Sequence, residues 1–196
     1  KLGIRVYDDY GHHPTEVDAT LRALREFERP EERGGRLVCV FQPHQHSRTR
    51  FLLDEFAHAF EQADVVIVPH IYFVRDSEVE KTRVSAQDLV DRLEAKGTRA
   101  LHIGSFDEIV EHLEIHCRPG DLVVTMGAGP VNRIAKDFLR RGGASTTLNC
   151  GYGEGFSVRQ VLDQVAQVAG KPLRIVESPR RAGDPAQLVA RADRIR

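Results

Sequence analysis

The chain has 196 residues, 41% of them hydrophobic, and a formal net charge of -1: enough for one full core, or for one domain with an appendage. The charge is too balanced to recruit nucleic acid or an acidic membrane by bulk electrostatics, and no apolar run reaches the roughly 20 residues that span a bilayer. The three cysteines, Cys39, Cys117 and Cys150, are too scattered for a disulfide framework or a zinc ribbon, which points to a reducing, cytoplasmic setting.

Ile4, Val6 and Tyr7 are strand formers at the start of the chain. After the polar run 8–13, Pro14-Thr15-Glu16 opens a helix whose apolar residues Val17, Leu21, Leu24 and Phe27 keep helical spacing. A second strand is read over Arg36–Phe41, then a polar loop, then a helix over Phe51–Phe60 carrying Leu52, Leu53, Phe56 and Phe60. Val65–Val68 is a buried-strand candidate ended by Pro69. Residues His70–Arg83 lack a period and are charged, so they read as an exposed loop. Ser85 with Asp88, and Ser105 with Glu108, mark two capped helix starts on either side of a short strand over Ala100–Ile103. Leu122–Met126 is the next strand, Gly127-Ala128-Gly129 a tight turn, and Pro130 a natural first helical residue before Val131, Ile134, Phe138 and Leu139.

Apolar strands alternating with amphipathic helices predict an α/β fold: a Rossmann-like, mainly parallel sheet with helices on both faces and right-handed crossovers. Ligands of such sheets bind at the carboxyl ends of the strands. There the chain places Asp8, Asp9, His12 and His13 after the first strand, His44 and His46 after the second, and His70 after the third. Histidines on three loops suggest a transition-metal site, but irregular loops give no ligand period and no metal is expected. Anion and nucleotide handling suits these residues better. Asp9 can accept bonds from ribose hydroxyls, His12 and Arg48 can donate to phosphate or carboxylate oxygens, and the helix starts after Pro14 and Ser47 add partial positive charge. The plain alternative for Asp9 and His13 is that they cap the helix. Gly127-Ala128-Gly129 lacks the third glycine and the distant acid of a dinucleotide fingerprint.

Two stretches carry a family likeness. Tyr7-Asp8-Asp9-Tyr10-Gly11-His12-His13-Pro14-Thr15-Glu16 and Phe41-Gln42-Pro43-His44-Gln45-His46-Ser47-Arg48-Thr49-Arg50 resemble, in order and spacing, two motifs of the C-terminal domain of the Mur ligases, in the branch that joins alanine to UDP-N-acetylmuramate. Asp121–Gly129 fits the same pattern, and the likeness covers residues 1–141. The resemblance implies a domain that closes over ATP and magnesium held elsewhere in the enzyme, with Asp9 and His12 toward the nucleotide and Tyr10, His44 and Arg48 toward the amino acid. Gln45 stands where many members carry arginine. The muropeptide-recycling ligases fit Phe41-Gln42-Pro43-His44 less well.

From Gly142-Gly143 the character changes. Residues 144–196, with Asn149-Cys150-Gly151-Tyr152-Gly153-Glu154-Gly155-Phe156-Ser157 and Pro179-Arg180-Arg181-Ala182-Gly183-Asp184-Pro185, resemble the C-terminal part of UDP-glucose 4-epimerase, an NAD enzyme whose cofactor domain is not found in this chain. That likeness implies that Arg181 and Asp184 hold a UDP-sugar; a solvated basic turn is the plain alternative. Ser157 with Gln160 reads as a capped helix start and Leu173–Val176 as a strand, giving a C-terminal β-α-β extension with an unpaired edge that favours swapping or a homodimer. The expected division is therefore 1–141 and 142–196.

The chain starts at Lys1 rather than Met with a strand almost at once, so it reads as a piece of a longer polypeptide. A ligase of this kind needs a P-loop, Gly-x-x-x-x-Gly-Lys-[Ser/Thr], and that string does not occur. The expectation is thus a nucleotide- and UDP-sugar-using parent enzyme and a fragment with no catalytic residue of its own, inactive alone. The alternatives are a non-catalytic hybrid of two families and an epimerase fragment.

Overall fold

The computed structural model describes residues 2–140 and 156–176, and the chain divides into two units, Lys1–Ser145 and Thr146–Arg196. In the first unit strands and helices alternate: β1 (Arg5–Asp9), α1 (Pro14–Glu28), a 3-10 turn (Pro30–Arg33), β2 (Leu37–Phe41), α2 (His46–Phe51), α3 (Leu53–Ala59) and β3 (Val65–Val68). Then follow α4 (Glu78–Lys81), α5 (Ala86–Ala95), β4 (Ala100–His102), α6 (Phe106–His116), β5 (Leu122–Met126) and α7 (Asn132–Arg140). The described part of the second unit contains α8 (Val158–Ala169).

The five strands form one parallel sheet in the order β1-β5-β2-β3-β4. β2, β3 and β5 are buried at every position, because helices cover both faces and leave no side of the pleat for polar residues. Successive residues feed two cores. Leu37, Cys39 and Phe41 join Val17, Leu21, Phe56, Phe60, Leu89 and Leu93 on one face; Val38 and Val40 join Ile109, Leu113, Ile134 and Phe138 on the other. β1, at the edge, leaves Arg5, Tyr7 and Asp8 exposed. The α/β fold with helices on both faces is thus as the alternating pattern predicts.

Polar anchors fix the edges of this sandwich. The buried Glu28, at the end of α1, accepts the Tyr7 hydroxyl at 2.5 Å and pairs with Arg5 and Arg33, tying α1 to β1. Asp121, 1% exposed just before β5, accepts the Arg36 amide at 2.8 Å, its guanidinium at 2.7 Å and the Arg118 amide at 3.1 Å. The neighbouring Gly35 lies against the Gly120 backbone, where a Cβ would sit 1.9 Å from the carbonyl oxygen.

Several local expectations change. The helix read over Phe51–Phe60 begins earlier, at His46, and breaks into α2 and α3 around Leu52 (φ -108°). The segment His70–Arg83 is not simply an exposed loop: Ile71 is buried, Tyr72 bridges to His44 and α4 forms with Ser77 as its cap. Such long-range anchoring leaves no periodic trace in sequence. Ser85 and Asp88 make the expected reciprocal cap, whereas the Ser105 side chain makes no capping bond. Pro130 lies in the turn before α7, which starts at Asn132. Ser157 and Gln160 cap α8 as read, but Leu173–Val176 forms no strand, so the strand expected after α8 is not found among the described residues. Residues 144–155, Cys150 among them, lie outside the described residues.

Candidate functional site

The carboxyl ends of β1, β5 and β2 are in register, with Asp9 beside Met126 and Met126 beside Phe41, so the loops after β1 and β2 open on one edge. The first loop is a tightly bonded turn. Asp9 Oδ1 accepts the Gly11 amide at 2.6 Å, His13 caps α1 by accepting the Thr15 amide at Nδ1, and Glu16 accepts the amides of His12 and His13 at 2.9 and 3.0 Å. Those bonds, the His12 amide first, hold the Glu16 carboxyl below its ordinary range. His12 Nδ1 lies 3.2 Å from the Tyr10 carbonyl oxygen, an acceptor, so Nδ1 carries the proton and Nε2 is left for other partners.

The second loop meets the first. The His12 and His44 rings pack edge to face with centroids 6.0 Å apart; Tyr10, 71% exposed, flanks His12 at 5.4 Å, and Tyr72 flanks His44 at 5.7 Å. His44 Nδ1 is buried with no hydrogen-bond partner, an uncommon state that His46 Nδ1 shares. Burial, then the charges of Arg48, His12 and Arg75, lower the His44 pKa below its ordinary value. Gln42 Oε1 is likewise buried and unsatisfied.

A third segment closes the site. Gly129, after β5, lies so near Gln42 and Tyr72 that a Cβ there would stand 2.7 Å from Gln42 Oε1 and 3.1 Å from the Tyr72 ring. This is a close-packed strand-to-helix turn, the reading given to Gly127-Ala128-Gly129. Gln45, at φ +67°, donates its amide to the Tyr72 carbonyl at 3.0 Å and its Nε2 to the carbonyls of Val74 and Arg75 at 3.3 and 3.4 Å. Asp76 accepts the Ser47 amide at 2.9 Å, and Arg50 pairs with Glu80 at 2.9 Å. The residues following β3 are thereby strapped onto α2.

The sequence-read residues separate accordingly. His12, His44 and Tyr10 come together, and Arg48 on α2 acts electrostatically on His44. Asp9 is at the same strand edge, with one carboxylate oxygen engaged by its own turn. The other histidines do not join them: His13 is a helix cap, His46 faces Phe73 at 5.8 Å, and His70 pairs with His102 at 5.3 Å. Among the described residues no group of three or more His, Cys, Asp or Glu could hold a metal ion. Arg181 and Asp184 lie outside the described residues. Arg75 and Tyr72 were missed by sequence reasoning, since both sit in the segment taken for an exposed loop.

Residues 1–129 match the family described as "Mur ligase, glutamate ligase domain". The chain belongs to the Mur ligase family. This Mur ligase domain is 42% identical over 137 residues to the UDP-N-acetylmuramate–L-alanine ligase of Acetivibrio thermocellus, covering 70% of this chain and 28% of that protein. It is 47% identical over 135 residues to the enzyme of that name from Symbiobacterium thermophilum, covering 68% and 27%. Among solved structures, the UDP-N-acetylmuramate-alanine ligase of Thermotoga maritima superposes with a TM-score of 0.53 at 25% identity, over 71% of this chain and 27% of that one. A murein peptide ligase from Psychrobacter arcticus shares the fold, with a TM-score of 0.56 at 22% identity over 75% and 29%. The chain thus spans little more than a quarter of the curated relatives it matches. These relatives support the ligase resemblance and give no support to the epimerase reading of residues 144–196. Among the described residues no helix is long and apolar enough to cross a membrane.

Proposed function

We propose that residues 1–141 are the C-terminal domain of an ATP-dependent UDP-N-acetylmuramate–L-alanine ligase of peptidoglycan synthesis, working in the cytoplasm. The observation that carries this reading is the meeting of His12 and His44 at 6.0 Å at the strand ends, with the charge of Arg48 on α2 acting on His44, on a chain 42% identical to a curated ligase of that name. Asp9 and His12 contact the ribose and phosphates of the nucleotide, and Tyr10, His44 and Arg48 receive the incoming amino acid. Arg48 holds the carboxylate of L-alanine, with His44, whose pKa is lowered by burial and by the charges of Arg48, His12 and Arg75, beside it. ATP, bound with magnesium by a P-loop domain, supplies the phosphoryl group that activates the muramate carboxylate.

The described residues offer no carboxylate cluster for magnesium, and no P-loop string occurs in the 196 residues. This chain alone therefore releases no phosphate from ATP in the presence of UDP-N-acetylmuramate and L-alanine. To test the assignment, residues 1–141 replace the matching domain of the Acetivibrio thermocellus enzyme; a folded hybrid that ligates L-alanine supports it, and a folded hybrid without activity overturns it.

We read the tail as a separate appendage, a hybrid element rather than part of the ligase domain; the division after Ser145 supports this. The exposed stripe Val158, Val161, Val165 and Val168 on α8 supports self-association through it, and sedimentation of the purified chain as a monomer would count against that.

A further inference from the structure

We infer that Arg75, on the segment after β3, is the second guanidinium of the oxyanion pocket formed by His12, His44 and Arg48. The inference rests on the anion-site reading and adds a residue to it. Between β2 and the start of α5 the four arginines fall into two classes. Arg50 and Arg83 are both neutralised by Glu80, at 2.9 and 3.1 Å. Arg48 and Arg75 pair with no carboxylate among the described residues.

The acids nearest Arg75 in sequence are spoken for. Asp76 accepts the amides of Ser47 and Ser77 at 2.9 and 3.0 Å, and Glu78 pairs with Lys81 at 3.2 Å. Asp76 is thus kept as the cap of α2 and not as a counter-ion. The backbone is also held for a purpose other than secondary structure: Arg75 sits at φ +48°, a region costly for a residue with a Cβ, and its carbonyl accepts from Gln45 Nε2. Tyr72, three residues earlier, is bridged to His44, so the segment is anchored directly on the pocket's own residue. The charge of Arg75 is felt there, as one of the groups that disfavour protonation of His44. Arg75 is exposed to solvent and Arg48 partly so, and an incoming oxyanion exchanges that hydration for charge-assisted bonds to the two guanidinium groups. Phosphate and α-carboxylate share that chemistry.

The purified chain is titrated at pH 7 and constant ionic strength with inorganic phosphate in one arm and L-alanine in the other, following the ring-proton NMR signals of His44 and His12. The arm that shifts them identifies the anion. Arg75→Met is expected to weaken that binding about threefold to fivefold, the range of a partly exposed charge contact, and to raise the His44 pKa of the free chain; Arg75→Lys restores most of both. Native affinity in Arg75→Met, alongside weakened binding in Arg48→Met, overturns the role of Arg75 and leaves the anion site standing. If neither probe moves the His44 signal in the native chain, the anion site itself fails and the inference with it.

Discussion

His12 and His44, from loops after the first and second strands, stand edge to face at 6.0 Å, although the strands that carry them are not neighbours. β5 lies between them, and the turn that follows it sets Gly129 against Gln42 and Tyr72. Their meeting is therefore a product of sheet order, not of any one motif.

The first prediction concerns pH. Burial and neighbouring cations lower the His44 pKa, so His44 is neutral at pH 7 and gains charge only below its usual value near 6.5. Sulfate, whose own charge is constant over this range, should bind the chain more tightly at pH 5.5 than at pH 8. His44→Gln should flatten that dependence, as read by calorimetry.

Asp121 gives a stability prediction. Burial pushes its carboxyl up, but the Arg36 guanidinium and the amides of Arg118 and Arg36 outweigh this, and the net shift is down. A depressed carboxyl stabilises the fold above its unfolded value, about 3.9, and that contribution is lost as pH falls through the lower folded value. Asp121→Asn leaves the partly exposed Arg36 without its carboxylate and disturbs the amide bonds of Arg36 and Arg118, at a cost of about 1–3 kcal/mol. In urea melts the variant should be weaker at pH 7 and lose part of the native decline between pH 4 and pH 2 that follows from this linkage.

Gly35→Ala should destabilise the domain by about 3 kcal/mol, the upper end for overpacking. The Cβ would meet the Gly120 backbone, which cannot swing aside as a side chain could. Gly34→Ala makes the contrast: no atom stands within 4 Å of its Cβ, and the penalty is confined to its backbone at φ +66°. Thermal melts of the two variants, with Gly35→Ala the lower, check the point.

Glu16→Ala removes the acceptor of two amides in the turn that carries His12. Loss of this half of the capping box should cost about 1 kcal/mol. It should also broaden the His12 ring signal, because the turn's amides lose their fixed partner. Unchanged stability together with an unchanged His12 signal would count against the assigned role.

Much of the fold could be read from the chain because its strands are buried on both faces: Leu37–Phe41, Val65–Val68 and Leu122–Met126 are apolar at nearly every position, and a parallel sheet asks for nothing else. His12 and His44 were legible for a related reason, being polar residues at the ends of such strands. Arg75 was not. Its position depends on Gln45 and on the Tyr72 bridge, contacts between segments far apart in sequence that leave no period. Ile175 and Val176 misled in the opposite sense: β-branched residues suit a strand, but no partner strand meets them among the described residues.

The sheet order has a consequence for biosynthesis. Among the described strands of this sheet the first in sequence pairs with the fifth, β1 with β5. A nascent chain stopped short of Met126 lacks the strand that separates and aligns the His12 and His44 loops, however complete its earlier helices are. The meeting of His12 and His44 is thus completed only when β5 has formed, and ribosome-bound lengths ending within α6 should expose β1 and α1 to chaperones until that strand emerges.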